Sequence, residues 1–171
     1  MGKILEDWRV GKLGDFIELK YGKGLPERKR EAGNIPVFGS NGIVGFHNKS
    51  LIKGPGIIIG RKGSIGKVVF SKEDFFPIDT TYYVDSKLPL KFIYYLLKTL
   101  NLEKLDSSSA VPGLNRNDAY SLLVNIPNRE AEQRAIASIL GALDDKIELN
   151  RQMNATLEAI GQAVFTLVRR L

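Results

Sequence analysis

Two kinds of apolar pattern divide the chain. Up to about residue 85, short apolar runs alternate with glycine-rich turns. Gly56-Ile57-Ile58-Ile59-Gly60 reads as a buried strand between turns. Val68-Val69-Phe70 and Thr80-Thr81-Tyr82-Tyr83-Val84, rich in β-branched and aromatic residues, read as two more. Gly11 to Leu19 fits an entry strand or a short helix, and periodicity does not decide. From Pro89 helical spacing takes over. Leu90, Ile93, Tyr94, Leu97 and Leu100 share one face, and Pro89 suits a first helical turn. Asp106 to Gly113 reads as a loop. Leu122 to Ile126, closed by Pro127, reads as a short strand.

Beyond Pro127 there is no further proline, and the only glycines are Gly141 and Gly161. Steps of three and four pick out Ile136, Leu140, Leu143, Ile147, Asn150, Asn154, Leu157, Gly161, Val164, Val168 and Leu171. Met153, Ile160 and Leu167 widen that stripe. A helix of about 42 residues would reach roughly 60 Å, far beyond the ~11–12 residues of an average helix. One small domain cannot bury such a length, so its outer half needs another helix. Ile136, Leu140, Leu143, Ile147, Leu157, Val164 and Val168 are the expected seam. Asn150 and Asn154 would mark its register. The alternative is two shorter helices broken near Asn150 to Asn154 and folded back.

Charge sharpens the division. Residues 1–129 carry 20 Lys/Arg against 13 Asp/Glu, and residues 130–171 carry 5 against 6. From Lys20 to Lys67 the only acids are Glu27 and Glu31. A concentrated basic face attracts polyanions and releases DNA counterions on contact. With no cysteine, disulfides, thiolate metal sites and a cysteine nucleophile are excluded. Acids at Glu6 and Asp7 come too early for a signal peptide, and no apolar run approaches the ~18 residues of a membrane span. The expectation is a cytoplasmic protein.

Few motifs carry catalytic chemistry. Gly60-Arg61-Lys62-Gly63-Ser64-Ile65-Gly66-Lys67 fails the phosphate-loop spacing, because Arg61 stands where a glycine is needed and Val68 follows Lys67. It reads instead as a tight turn presenting Arg61, Lys62 and Ser64. Asp79 with Asp85-Ser86-Lys87 has the residue types of a metal-dependent nuclease, and that is one alternative function. His47, the only histidine, has no clustered ligands in sequence. There is no Gly-x-Ser-x-Gly elbow and no Asn-Pro-Pro or Asp-Pro-Pro stretch for base methylation. A coiled-coil adaptor with an incidental basic surface is the other alternative. What recurs instead is Gly, Ser, Asn and Thr at strand ends: Phe38-Gly39-Ser40-Asn41-Gly42, Asp79-Thr80-Thr81-Tyr82, Ser107-Ser108-Ser109 and Leu114-Asn115-Arg116-Asn117-Asp118. Short polar side chains of this kind suit base edges and phosphates.

Taken in order, these stretches resemble the specificity subunit of type I restriction–modification systems. Trp8-Arg9-Val10-Gly11-Lys12-Leu13-Gly14-Asp15 is similar to that family's opening. Ile35 to Gly42, Gly60 to Gly66, Asp79 to Tyr83 and Val111 to Asp118 are similar to stretches that follow. Ile126-Pro127 with Glu132-Gln133-Arg134, then Leu143-Asp144-Asp145-Lys146-Ile147, is the most specific part. The resemblance implies an α+β fold: a β-rich target-recognition domain with a short helix over residues 1–128, and a long helix over 129–171 that pairs antiparallel with another. It implies sequence-specific recognition of double-stranded DNA at a bipartite site, with no catalytic group in this chain. Methylation and cleavage fall to a methyltransferase subunit and a restriction/translocase subunit, which use S-adenosylmethionine, ATP and Mg²⁺. With one domain and one helix, the chain is either a natural half-length subunit, working as a homodimer, or a piece of a longer one. The expected DNA contacts are Lys23, Ser40, Asn41, Arg61, Lys62, Ser64, Thr80, Thr81, Tyr82, Ser108, Asn115 and Arg116.

Overall fold

The structure is a computed structural model, and it describes residues 7–105 and 113–169. Their fold is mixed α+β. Three sheets are built from nine strands: β1 (Trp8–Lys12), β2 (Glu18–Tyr21), β3 (Ile35–Gly39), β4 (Gly42–His47), β5 (Gly56–Gly60), β6 (Val68–Ser71), β7 (Phe76–Pro77), β8 (Thr81–Asp85) and β9 (Leu123–Pro127). Three α-helices accompany them: α1 (Leu90–Thr99), α2 (Arg116–Ser121) and α3 (Glu130–Val168). The chain divides into two compact units, one ending at Arg134 and the other beginning at Ala135.

The main sheet runs β2-β8-β5-β6 and is antiparallel throughout. β5 is an inner strand with α1 packed against it and with Ile58 clustered on Phe38 and Phe75, so all five of its residues are buried and it reads as a continuous apolar run. Ile57, Ile58 and Ile59 are joined in the core by Leu13, Leu19, Phe75, Ile93, Leu97 and Leu102. α1 packs on β5 and β6 through Phe92, Ile93, Tyr95 and Leu97. A smaller sheet, β4-β3-β7, places β3 antiparallel to β4 and parallel to β7.

Gly11 to Leu19 divides between two strands. Asp15 accepts a hydrogen bond from the Lys12 amide at 2.8 Å, and a single 3₁₀ turn, Leu13–Asp15, separates β1 from β2. β1 pairs antiparallel with β9, bringing the start of the domain beside the entry to α3.

Two of the polar stretches expected at strand ends border regular elements. Phe38 to Gly42 holds the end of β3 and the start of β4, with Gly42 at φ +125° in the turn. Leu114 to Asp118 holds the start of α2, whose N-cap is Asn115: its side chain accepts from the Asn117 amide at 2.8 Å. The folded-back alternative for the C-terminal segment is overturned, because α3 continues unbroken through Asn150 and Asn154. The loop expected over Asp106 to Pro112 lies outside the described residues.

Candidate nucleic-acid interface

Four separate polar stretches converge at one end of the main sheet, and the Thr80 carbonyl is their meeting point. It accepts from the Ser40 hydroxyl at 2.6 Å, the Arg61 amide at 2.9 Å and the Lys62 amide at 3.1 Å. The β3–β4 turn, the turn after β5 and the turn before β8 are thereby held together. Lys67 ties in as well, donating from Nζ to the Asn41 carbonyl and Oδ1 at 2.8 Å each. The fourth stretch is attached through Arg61, whose carbonyl accepts from the Leu114 amide at 2.9 Å. Gly60 permits this crowding, since a Cβ there would collide with the carbonyl oxygens of Ser64 and Ser40.

Between these turns lies an open cleft of about 330 Å³ lined by Tyr21, Arg61, Lys62, Tyr82, Asn115, Arg116 and the neighbouring backbone. Arg61 donates from Nε to the Asp79 carbonyl at 3.2 Å and from Nη2 to the same oxygen. Arg116 donates from Nη1 to the Leu19 carbonyl at 3.3 Å. Both guanidinium groups stand over the Tyr21 ring, at 5.2 Å for Arg61 and 4.8 Å for Arg116. Among the described residues no carboxylate lines the cleft. Three cations on one concave surface suit an anionic or acceptor-rich ligand.

Sequence comparison agrees with this character. Residues 5–159 match the profile of the family described as type I restriction modification DNA specificity domain. The chain belongs to that family. The type I restriction enzyme EcoprrI specificity subunit of Escherichia coli is 31% identical over 141 residues, covering 77% of this chain and 35% of that subunit. The HindI specificity subunit of Haemophilus influenzae is 48% identical over 58 residues, 34% of this chain and 12% of that one. The crystal structure of the type I restriction-modification S subunit from M. genitalium superposes with a TM-score of 0.76 at 23% identity, over 86% of this chain and 41% of that one. The chain thus spans well under half the length of these relatives.

Within this specificity domain the expected contact residues divide by exposure. Lys23, Asn41, Lys62, Ser64 and Asn115 are exposed, and Ser40, Arg61, Thr80 and Arg116 are half-buried. The Lys23 amide is held by the Pro77 carbonyl at 3.0 Å. Two expectations need correction. Thr81 is 0% exposed, and its hydroxyl donates to the Ile78 carbonyl at 2.7 Å. Tyr82 is 2% exposed, and its hydroxyl donates to the Leu114 carbonyl at 3.1 Å. Burial, followed by the adjoining Tyr21 hydroxyl, pushes the Tyr82 phenol up to about 12, so it stays protonated. Tyr82 forms part of the cleft wall, and the Thr81 hydroxyl serves the turn before β8. Ser108 lies outside the described residues. Tyr21, Lys67 and Asn117 join the site without having been expected. The one available signal was an aromatic residue closing a strand just ahead of Gly22-Lys23-Gly24.

The nuclease alternative loses its geometry. Asp79 precedes β8 and Asp85 ends it, and the four steps from Thr81 to Asp85 alone span roughly 13 Å. A shared metal needs both carboxylates within about 2.5 Å of one ion. Asp85 is instead paired with Lys20. Among the described residues no three His, Cys, Asp or Glu cluster as a metal site.

The Glu132-Gln133-Arg134 motif has a structural role. Trp8 donates from Nε1 to Glu132 at 2.9 Å, tying the first turn of α3 to β1. Buried Gln133 donates from Nε2 to the Pro127 carbonyl at 2.8 Å. The first compact unit therefore runs past residue 128 to include the start of the helix. On α3, Leu140, Leu143, Ile147, Leu157, Val164 and Val168 are exposed, from 36% to 63%, and Ile136 is half-buried. Among the described residues no helix is long and apolar enough to cross a membrane.

Proposed function

We propose that this chain reads duplex DNA sequence for a type I methylation and restriction complex and supplies no catalytic group of its own. The observation that carries the reading is the family match over residues 5–159, which includes both the domain and most of α3. The acid-free cleft of the described residues supports it physically. Half-buried Arg61 and Arg116 and exposed Asn side chains on fixed turns can address base edges, while Lys62 and Lys23 meet phosphates.

The exposed apolar stripe of α3 supports pairing with a second helix, and two copies of one chain normally close about a two-fold axis. The seam consists of Ile136, Leu140, Leu143, Ile147, Leu157, Val164 and Val168. A two-fold protein matches inverted half-sites. A methyltransferase subunit and a restriction/translocase subunit supply the chemistry, with S-adenosylmethionine, ATP and Mg²⁺ bound on them. Such a complex works in the prokaryotic cytoplasm, where its DNA is.

The test is equilibrium binding of fluorescent duplexes by the full chain together with its methyltransferase, across a salt series. The expected result is tighter binding to one class of sequence, with log K falling linearly as log salt rises. Equal affinity for every duplex would contradict sequence reading, and absence of any salt-sensitive duplex binding would favour the adaptor.

A further inference from the structure

Two arginines approach one aromatic ring, Tyr21, from different elements. Arg61 follows β5 and Arg116 opens α2, 55 positions apart in sequence. Their guanidinium carbons nevertheless lie 5.2 and 4.8 Å from the Tyr21 ring centroid. Each head is anchored to a backbone carbonyl, Asp79 for Arg61 and Leu19 for Arg116. A carbonyl accepts a hydrogen bond from each head but carries no charge, so neither cation is neutralised by its anchor. The Arg61 backbone is fixed from both sides, its amide by Thr80 and its carbonyl by Leu114. β2 holds Arg116 at two points, the Leu19 carbonyl and the Tyr21 ring.

Tyr21 contributes little to the core. It closes β2, is 50% exposed, and lies 5.1 Å from the buried ring of Tyr82, its register partner on β8. Its negative ring face attracts both cations and limits where each planar head can lie.

We propose that Arg61, Tyr21 and Arg116 act as one recognition unit, in which Tyr21 positions two arginines to grip a single pair of acceptors on the duplex. This rests on the DNA-reading function proposed above. With no carboxylate lining the cleft among the described residues, the two guanidinium groups at the Tyr21 ring leave their charge to a ligand that is anionic or rich in acceptors. The duplex offers that chemistry in two places: the O6/N7 edge of guanine and the oxygens of a phosphodiester. Neither arginine alone would be as well oriented, because each loses one wall of its position when the ring is absent.

The test uses the full chain with its methyltransferase and the duplex it methylates. Affinity is measured for wild type, Tyr21→Phe, Tyr21→Ala, Arg61→Ala and the Tyr21→Ala/Arg61→Ala double variant. Tyr21→Ala should weaken binding by about tenfold, within the range of one lost bidentate contact. Tyr21→Phe keeps the ring and should bind like wild type, which separates positioning from any role of the hydroxyl. Arg61→Ala should matter much less in the Tyr21→Ala background than alone. Duplexes with single guanines replaced by 7-deazaguanine, and others with single methylphosphonates, identify the ligand. A 7-deazaguanine penalty that disappears in Tyr21→Ala assigns the unit to a base edge. A methylphosphonate penalty that disappears assigns it to the backbone. Tyr21→Ala binding as wild type does, or an undiminished Arg61→Ala penalty in its background, would overturn the unit while leaving DNA reading intact. Failure of wild type to bind any duplex would remove the function beneath it.

Discussion

Tyr82 forms part of the cleft wall, and its phenol donates to the Leu114 carbonyl and is held near 12. A raised value means the folded chain keeps this proton when the unfolded chain has begun to lose it. The associated stability is therefore complete below about pH 10 and is lost as pH rises toward about 12. Tyr82→Phe should abolish that part of the alkaline decline while losing about 1 kcal/mol at neutral pH for the missing hydrogen bond. Denaturant midpoints for both proteins at about pH 9 and about pH 11 check it, and parallel declines would contradict it. The two aspartates make the opposite kind of prediction. Asp79 serves Arg61 through its backbone carbonyl, which Asn retains, and Asp85 loses only an exposed ion pair. Asp79→Asn and Asp85→Asn should leave methylation directed to the same sites. Loss of cleavage with folding, binding and methylation intact would revive the nuclease alternative.

At the scale of elements, the entry to α3 is the joint most open to test. Gln133 is 1% exposed and spans from the helix to the Pro127 carbonyl that ends β9. Gln133→Ala should cost about 1–3 kcal/mol by leaving that carbonyl without its donor, lowering the melting temperature by several degrees. Unaltered sequence preference would accompany it, because the residue touches no part of the cleft; a changed motif would contradict that separation. How much of this was legible in sequence depended on the element. α3 was legible because its stripe persists over many turns, and β5, β6 and β8 because their runs are rich in β-branched and aromatic residues, with glycine at both ends of β5. The β3–β4 hairpin was not, because Gly39-Ser40-Asn41-Gly42 has turn composition and the buried Val37 and Phe38 before it form only a short apolar run. α2 was hidden by its six-residue length and polar sequence; its Asn115 cap and buried Ala119 show only in three dimensions. Tyr21 was missed for a related reason. The cleft joins residues from four places in the chain, and no local pattern announces which aromatic stands beside Arg61 and Arg116.

For the whole molecule, the exposed stripe of α3 and the cleft of the domain make separable predictions. A helix seam tolerates exchange among aliphatic residues but not buried charge. Leu140→Glu with Ile147→Glu should therefore yield monomers by light scattering, with the domain still folded and the preference for a split site lost. Dimers that survive both substitutions would place the contact elsewhere. The central claim, that this chain decides which sequence is methylated, is tested most directly by methylome sequencing of cells carrying it with its methyltransferase, compared with cells carrying the methyltransferase alone. A motif should appear only with this chain, split by a fixed spacer into two identical halves in inverted orientation. Two unlike halves would contradict the two-fold pair, and a methylome unchanged by the presence of the chain would contradict sequence recognition itself.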